Sequence, residues 1–475
     1  MNQLIQKVEE QQLLQKFNKL KKAYLSAPFP TCQERVFHLK QAQQMIKQHE
    51  VEFVRAIAAD FGHRSSHETQ LLEIFPSLEN LRHTLRHLKR WMKASSRRAS
   101  FWFLPAKTKI MWQPLGVVGI MVPWNYPLYL AIGPLVAALA AGNRVMIKMS
   151  EFTPQTSRLF AKLIAQYFDE DHVTVVTGEA EVAQQFSSLA WDHLLFTGST
   201  AVGHHIMRAA AQHLTPITLE LGGKSPAWIA PDFPIEVAAE RILFGKCVNA
   251  GQTCIAPDYV LLPEAQVEAF QQAAQKIAKR LYPEFPQTAD YSFIINDQHY
   301  GRLQNLLQDA QAGGASILPL LPQPSTQKKD QRLIAPTLVT QVSDQMKIMQ
   351  EEIFGPLLPL VPYREWEEAK QWINSRPRPL ALYYFDYKKK RINRVLQETI
   401  SGGVTINDTL LHISQDHLPF GGVGASGMGH YHGQDGFETF SKKKGVFFQS
   451  RINGVSLLAP PYGKRTEFLL KRMKG

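Results

Sequence analysis

The chain has 475 residues, 44 % apolar and 20 % charged, with three cysteines and a formal net charge of +12. This composition describes a globular protein large enough for two or three domains, and excludes a disordered, collagen-like or disulfide-stapled chain. Three cysteines with no CxxC pair fit a reducing compartment, so a cytoplasmic location is expected.

The first segment, MNQLIQKVEEQQLL, lacks the apolar core and small-residue cleavage site of a signal peptide. Basic residues cluster from Arg82 to Arg98 and in the tail KRTEFLLKRMKG. Leu81, Leu85, Leu88 and Trp91 recur at helical spacing through the first cluster, which places its charges on the solvated face of an amphipathic helix. No nucleic-acid partner is therefore expected. Ser100–Gln113, SFWFLPAKTKIMWQ, mixes aromatic and polar residues and reads as an exposed hairpin arm that needs a partner. The stretch from Gly116 to Gly142 carries no charge and could pass for a membrane span, but Pro123, Asn125 and Pro127 divide it into halves too short to cross a bilayer.

That stretch instead predicts a buried strand (Val117–Val122), a tight loop and a buried helix (Leu128–Ala141). Gly142-Asn143 would end the helix, and Pro134 would kink it or delay its start. RVMIK (Arg144–Lys148) is a strand. SEFTPQT opens a helix to about Phe168, with Ser150 or Thr153 as N-cap and Pro154 in the first turn. VTVV (173–176), HLLF (193–196) and ITLEL (217–221) are further strands separated by helical segments, a rhythm that implies an open parallel sheet. A second α/β pattern follows Gly222-Gly223: SPAWIA, a helix over Ile235–Val248, YVLLP, a helix over Glu264–Leu281, and GGVTIN at Gly402–Asn407. Ala312–Arg332, rich in Pro, Gln and Lys, reads as a surface excursion.

Five places carry candidate chemistry. Cys254, in NAGQTCIAP, follows a helix and sits among loop-forming residues. Backbone dipoles at a helix end can favour a thiolate there, and a small buried residue is an equal alternative. No Cys or His lies at metal-ligand spacing, so no metal is expected. Cys247 lies in the preceding helix, about 10 Å away if the helix continued, too far for a disulfide. Glu220 ends a strand in LELGGKSP, where desolvation would raise its pKa and suit it to general-base work; the alternative is a carboxylate paired with a nearby lysine. Asn125, in PWNYP, could donate to an oxyanion or close an Asx-turn. HLLFTGSTAVG, with Gly198 and Ser199, runs from a strand into a helix start that could present N–H groups to a pyrophosphate. Lys148 and Glu151, in KMSE, could hold ribose hydroxyls.

Taken in order, PWNYP, KMSE, FTGSTAVG, LELGGKSP, NAGQTC, EEIFGP, GGVTIND and LPFGGVGASGMGHYHGQDGFETFS closely resemble the aldehyde dehydrogenase superfamily. The resemblance runs from about residue 15 to 450. The late block and GQTCIAPDY are similar to its class 3 branch, and DFGHRSSHETQLLEI (Asp60–Ile74) resembles bacterial coniferyl aldehyde dehydrogenases. The resemblance implies an α/β aldehyde dehydrogenase-like fold. A Rossmann-like parallel-sheet NAD(P)-binding domain would comprise residues 1–99 and 114–221, and an α/β catalytic domain residues 222–415. Residues 100–113 and 416–475 would bridge subunits as a small β oligomerisation arm of a homodimer.

It also implies roles. Cys254 would be the nucleophile, Glu220 the general base, and Asn125 with the Cys254 N–H the oxyanion hole. Lys148, Glu151, Gly198, Ser199, Gly222, Glu352 and Phe354 would bind NAD, with NADP as the alternative. A small-molecule aldehyde, aromatic or phenylpropanoid, would add to the thiol, lose hydride, and leave as the acid after thioester hydrolysis. An aliphatic or fatty aldehyde substrate and a thiol esterase are the competing readings. A CoA-acylating enzyme would not need Glu220. Met149 stands where the family usually has proline, and the basic C-terminus has no apolar tail long enough to anchor in a membrane.

Overall fold

The computed structural model describes residues 2–322 and 331–474. The apolar runs of the first half assemble into one six-stranded sheet. Its order is Gly427–Met428, Ile217–Glu220, His193–Thr197, Val117–Met121, Arg144–Lys148, Val173–Val176. All pairings are parallel except that of the two-residue edge strand, which runs antiparallel to Ile217–Glu220. Val117–Met121 and Val173–Val176 are buried throughout, as parallel strands covered on both faces must be.

The uncharged helix Tyr129–Ala141 has every residue buried. Its ends are satisfied by distant charges. Glu73 accepts the Leu128 and Tyr129 N–H groups at 2.7 and 3.1 Å. Arg35 donates to the carbonyls of Ala140 and Ala141 at 2.9 and 2.8 Å, supplying partners that a helix end lacks. Gly142 then turns left-handed at φ 91°. Pro134 does not delay the start: the helix begins five residues before it, held by Glu73.

Pro154–Tyr167 forms the next helix, with Thr153 at the N-cap position. The expected cap does not form: neither Ser150 nor Thr153 bonds the first-turn N–H groups. Asp60, from a distant helix, accepts those of Gln155 and Thr156 instead, both at 2.8 Å.

The second sheet has seven strands, ordered Ser316–Pro319, Thr337–Thr340, Leu357–Tyr363, Tyr259–Pro263, Pro226–Ile229, Ala381–Phe385, Gly403–Ile406. It is parallel except at Ser316–Pro319, which pairs antiparallel with Thr337–Thr340. The expected surface excursion over Ala312–Arg332 is therefore wrong at its start. Ser316–Pro319 is an edge strand, and Leu320 and Leu321 behind it are buried. Residues 323–330 of that segment lie outside the described residues.

A third sheet of three antiparallel strands joins Ser95–Arg97, Lys107–Pro114 and Ser441–Phe448. The arm is thus more than a hairpin, because Lys107–Pro114 pairs along its full length with a strand from the far end of the chain. Before it, Phe101, Trp102, Phe103 and Leu104 are exposed. Among the described residues no helix is long and apolar enough to cross a membrane.

Candidate active site

The helix Ile235–Cys247 ends just before an unusual turn. Asn249, Ala250 and Gly251 all have positive φ, at 50°, 52° and 75°. Left-handed backbone costs a non-glycine residue roughly 1–2 kcal/mol, so Asn249 and Ala250 need support from their surroundings. At Gly251 a side chain is also excluded sterically, since a Cβ would strike the backbone of Gly355. Cys254 follows three residues later, half-buried, while Cys247 is buried in the helix; neither forms a disulfide.

Asn125 approaches this turn from the first sheet. Its amide does not close a turn in its own loop: Nδ2 donates to the Gln252 carbonyl at 3.2 Å, across 127 residues of sequence. The Asn125 carbonyl accepts from Asn249 Nδ2 and from Arg64 Nη1, each at 3.1 Å. Gln252 is locked in turn by Asn249, Phe293 and Ile295 backbone groups, each at 3.0 Å. The oxyanion-hole candidate and the cysteine turn thus form one hydrogen-bonded unit.

Glu220 ends the strand Ile217–Glu220 and is almost fully buried, and among the described residues neither carboxylate oxygen has a hydrogen-bond partner. Burial alone pushes its pKa well above the ordinary carboxylate value. The lysine-paired alternative does not occur: Lys224, the nearest lysine in sequence, bonds Asp258.

Burial also pushes the Cys254 thiol up, to about 12, and the nearby Glu352 and Glu220 carboxylates add to the effect. The backbone N–H groups of Cys254 and Ile255 pull the other way. The dipole effect expected from sequence is present, and desolvation outweighs it. Glu352 is raised to about 8, first by burial and then by Asp258, while the Gly223 N–H opposes. A Cβ on Gly222 would collide with the Glu352 carboxylate, so that glycine is what lets EEIFGP close over LELGG. Phe354, at φ 50°, sets its ring 5.3 Å from Trp124, edge to face, beside Asn125.

The remaining candidates line the carboxyl ends of the first sheet. Lys148 ends its strand, buried, with Nζ 2.7 Å from the Met149 carbonyl and 3.5 Å from Glu151. Burial lowers its pKa, and Glu151 opposes the shift. Gly198 follows the strand His193–Thr197, its N–H donating to the Glu220 carbonyl of the adjacent strand at 3.0 Å. Ser199 caps the helix Thr200–Ala211, accepting from the Val202 N–H at 3.4 Å.

Sequence reasoning missed three tyrosines and three charges. Tyr126 bonds Thr253 Oγ1 at 2.6 Å, and Tyr383 donates to the Ile255 carbonyl. Tyr431 is buried close enough to Glu220 and Cys254 for their charges to shift its titration. PWNYP and HYHG displayed two of these tyrosines, but nothing in either string aims them at the cysteine. Arg64, Glu68 and Glu73 all come from the Asp60–Ile74 segment, to which the sequence assigned no role beyond its family likeness. Arg64 and Glu73 pair at 2.8 Å with both side chains fully buried.

The fold is an α/β architecture built on parallel sheets, and its candidate residues gather around one cysteine turn at the carboxyl ends of the first sheet. Comparison with known proteins agrees. Residues 5–446 match the aldehyde dehydrogenase family. A Pseudomonas aeruginosa protein named "Probable coniferyl aldehyde dehydrogenase" is 52 % identical over 465 residues, 98 % of this chain and 97 % of that one. The substrate-bound Staphylococcus aureus AldH structure superposes with a TM-score of 0.91 at 38 % identity, covering 97 % of this chain and 99 % of the other. The NAD+ complex of a Bacillus cereus aldehyde dehydrogenase superposes at 0.84 with 27 % identity, over 93 % and 89 %. The chain belongs to the aldehyde dehydrogenase family, and its activity is the nicotinamide-dependent oxidation of aldehydes.

Proposed function

We propose that the substrate is an aromatic aldehyde of the phenylpropanoid type, with coniferyl aldehyde as the representative, and that NAD is preferred. One observation carries the reading: Cys254, Glu220 and Asn125 converge on one buried site among tyrosines. Tyr126 and Tyr383 bond the cysteine loop and Tyr431 is buried near it, an aromatic surrounding that suits a flat, conjugated substrate. The printed name of the P. aeruginosa relative supports the same substrate class.

The donor set at the sheet's carboxyl ends suits a dinucleotide. A buried lysine lies beside Glu151, and a glycine and a serine open a helix. In this reading Lys148 and Glu151 hold the adenosine ribose, and Gly198 and Ser199 the pyrophosphate. Glu352 and Phe354 steady the nicotinamide end, with Gly222 giving Glu352 room. Glu151 would repel a 2′-phosphate, which favours NAD over NADP. A bound nicotinamide dinucleotide supplies the hydride acceptor.

The chain's own residues do the rest. The Cys254 thiol loses its proton to solvent, and the sulfur bonds to the carbonyl carbon as the π pair moves onto the oxygen. Asn125 Nδ2 and the Cys254 N–H hold the oxygen as it becomes negative. Once that carbon is oxidised, the thioester remains on Cys254. Glu220 takes a proton from water, the hydroxide adds, the C–S bond breaks, and the acid departs as the thiolate re-forms.

In the same reading residues 1–99 and 114–221 form the cofactor domain and residues 222–415 the catalytic domain. Residues 100–113 and 416–475 bridge two copies in a cytoplasmic homodimer. The test is a panel of coniferyl aldehyde, benzaldehyde and a long-chain aliphatic aldehyde, each with NAD+ and with NADP+, followed by reduced-cofactor absorbance. Coniferyl aldehyde with NAD+ should give the highest kcat/KM. A clear preference for the aliphatic aldehyde would refute the substrate assignment.

A further inference from the structure

The Asp60–Ile74 segment stood out in the sequence and has no role in the mechanism above, yet two of its charged side chains, Arg64 and Glu68, bond directly to Asn125 and the cysteine turn. Glu68 Oε1 accepts the Asn249 N–H at 3.0 Å, at the first left-handed residue of the cysteine turn. Its other oxygen accepts the Ser292 hydroxyl at 2.6 Å, which fixes the carboxylate's orientation. Arg64, four residues earlier, holds the Asn125 carbonyl, and its guanidinium lies 4.9 Å from the Tyr126 ring, whose hydroxyl bonds Thr253.

We propose that Glu68 is a positioning residue: through the Asn249 N–H it holds the strained turn in the register that brings Cys254 and the Asn125 amide onto the same carbonyl group. It touches neither substrate nor cofactor. The path is short and continuous, from Glu68 to Asn249, from Asn249 Nδ2 to the Asn125 and Gln252 carbonyls, and from Asn125 Nδ2 to Gln252. Asn tolerates left-handed backbone better than most residues, but two successive non-glycine residues there, one of them Ala250, are costly, so the turn depends on what grips it. The inference rests on the assignment of Cys254 and Asn125 as nucleophile and oxyanion donor.

The experiment is a double-mutant cycle between Glu68→Ala and Asn125→Ala, read with aldehyde and separately with p-nitrophenyl acetate in the absence of cofactor. Asn125→Ala alone should lower kcat by about 100-fold, the usual effect of losing one oxyanion donor. Glu68→Ala alone should lower kcat by about 10-fold or more with both substrates and leave the Kd for NAD+ unchanged. In the Glu68→Ala background, Asn125→Ala should cost less than about 10-fold, because the amide is already out of register. Glu68→Gln keeps an acceptor for the Asn249 N–H and should retain at least half of the wild-type kcat. Ser292→Ala, a gentler change, should lower kcat several-fold at an unchanged melting temperature, and it carries the cycle if Glu68→Ala does not fold. Additive losses, or a Gln variant as poor as the Ala variant, would overturn the proposal. Absence of aldehyde oxidation in the wild type would instead count against the functional reading. Ester cleavage would still report on Glu68.

Discussion

Glu220 is the residue where stability and function conflict most directly. Its carboxyl group is buried with no hydrogen-bond partner among the described residues, and its pKa is raised well above the ordinary value. The folded state therefore binds this proton more tightly than the unfolded chain does. The stabilising effect is complete below the unfolded pKa and fades as pH rises through the folded one. A base, however, is needed in the ionised form, so thioester hydrolysis should accelerate over the same interval in which stability falls. Glu220→Gln removes both effects. Its steady-state turnover should fall by about 10²–10⁴-fold, with the residual rate insensitive to pH. Its melting temperature should equal or exceed the wild type's, with the gap widening from pH 5 to pH 9. A variant that keeps wild-type turnover, or melts lower at pH 9, contradicts the assignment. Cys254, Glu220 and Asn125 were picked out as candidates because each stands in a short string where glycine, proline or a strand end constrains the backbone, and the family resemblance supplied the roles proposed for them. Glu68, Arg64 and Glu73 were not legible, because their partners at Asn249, Asn125 and Leu128 lie 55 to 181 residues away. A charge on a helix looks the same whether it faces water or an active-site turn.

At the scale of elements the apolar periodicity located the strands and helices well, since burial on both faces writes itself as uninterrupted Val, Ile and Leu. Helix ends were harder to read. Pro154–Tyr167 carries two local N-cap candidates, yet its N–H groups go to Asp60. Asp60 also accepts the Thr156 hydroxyl at 2.7 Å, so one carboxylate satisfies three donors. The same bonds tie the helix bearing Asp60, Glu50–Phe61, to the element that follows Lys148 and Glu151. Asp60→Ala should cost about 1–2 kcal/mol, the upper range for losing an N-cap, seen as a lowered denaturant midpoint with an unchanged slope. Because the loop bearing Lys148 and Glu151 leads directly into this helix, the KM for NAD+ should rise several-fold. Asp60→Asn keeps one acceptor oxygen and should fall between the two. Equal stability of Asp60→Ala and wild type would show that the helix is capped by other means. Ser316–Pro319 was misread for a related reason: its Pro and Gly neighbours resemble a loop, and only pairing with Thr337–Thr340 makes it a strand.

For the whole molecule the open question is what covers the aromatic arm. Phe101 is 77 % exposed, and Trp102, Phe103 and Leu104 are exposed beside it, with Phe447 and Phe448 on the neighbouring strand. Fully burying such a side chain is worth about 1.5–3 kcal/mol, so an uncovered cluster of this size favours association. The strand Ser441–Phe448 forms an edge of the small sheet, where another strand could add. Lys442, Lys443 and Lys444 are all exposed along it, and lysines on an edge discourage strand-to-strand pairing. The contact is then expected at the aromatic tip. The alternative driving force is the basic surface, with its formal net charge of +12. The two have different salt signatures. Charge repulsion between identical basic copies is relieved by salt, and contacts to an anionic partner are weakened by it, whereas burial of aromatic rings is nearly indifferent to screening. Sedimentation should therefore give about twice the chain mass of 53.8 kDa at both 0.1 M and 1 M NaCl. Trp102→Asp together with Phe101→Asp should return the protein to monomer mass at both salt concentrations. Because these substitutions lie far in sequence from Cys254 and on an exposed surface, the monomer should still be alkylated at Cys254. A double variant that remains dimeric would move the subunit contact away from the arm.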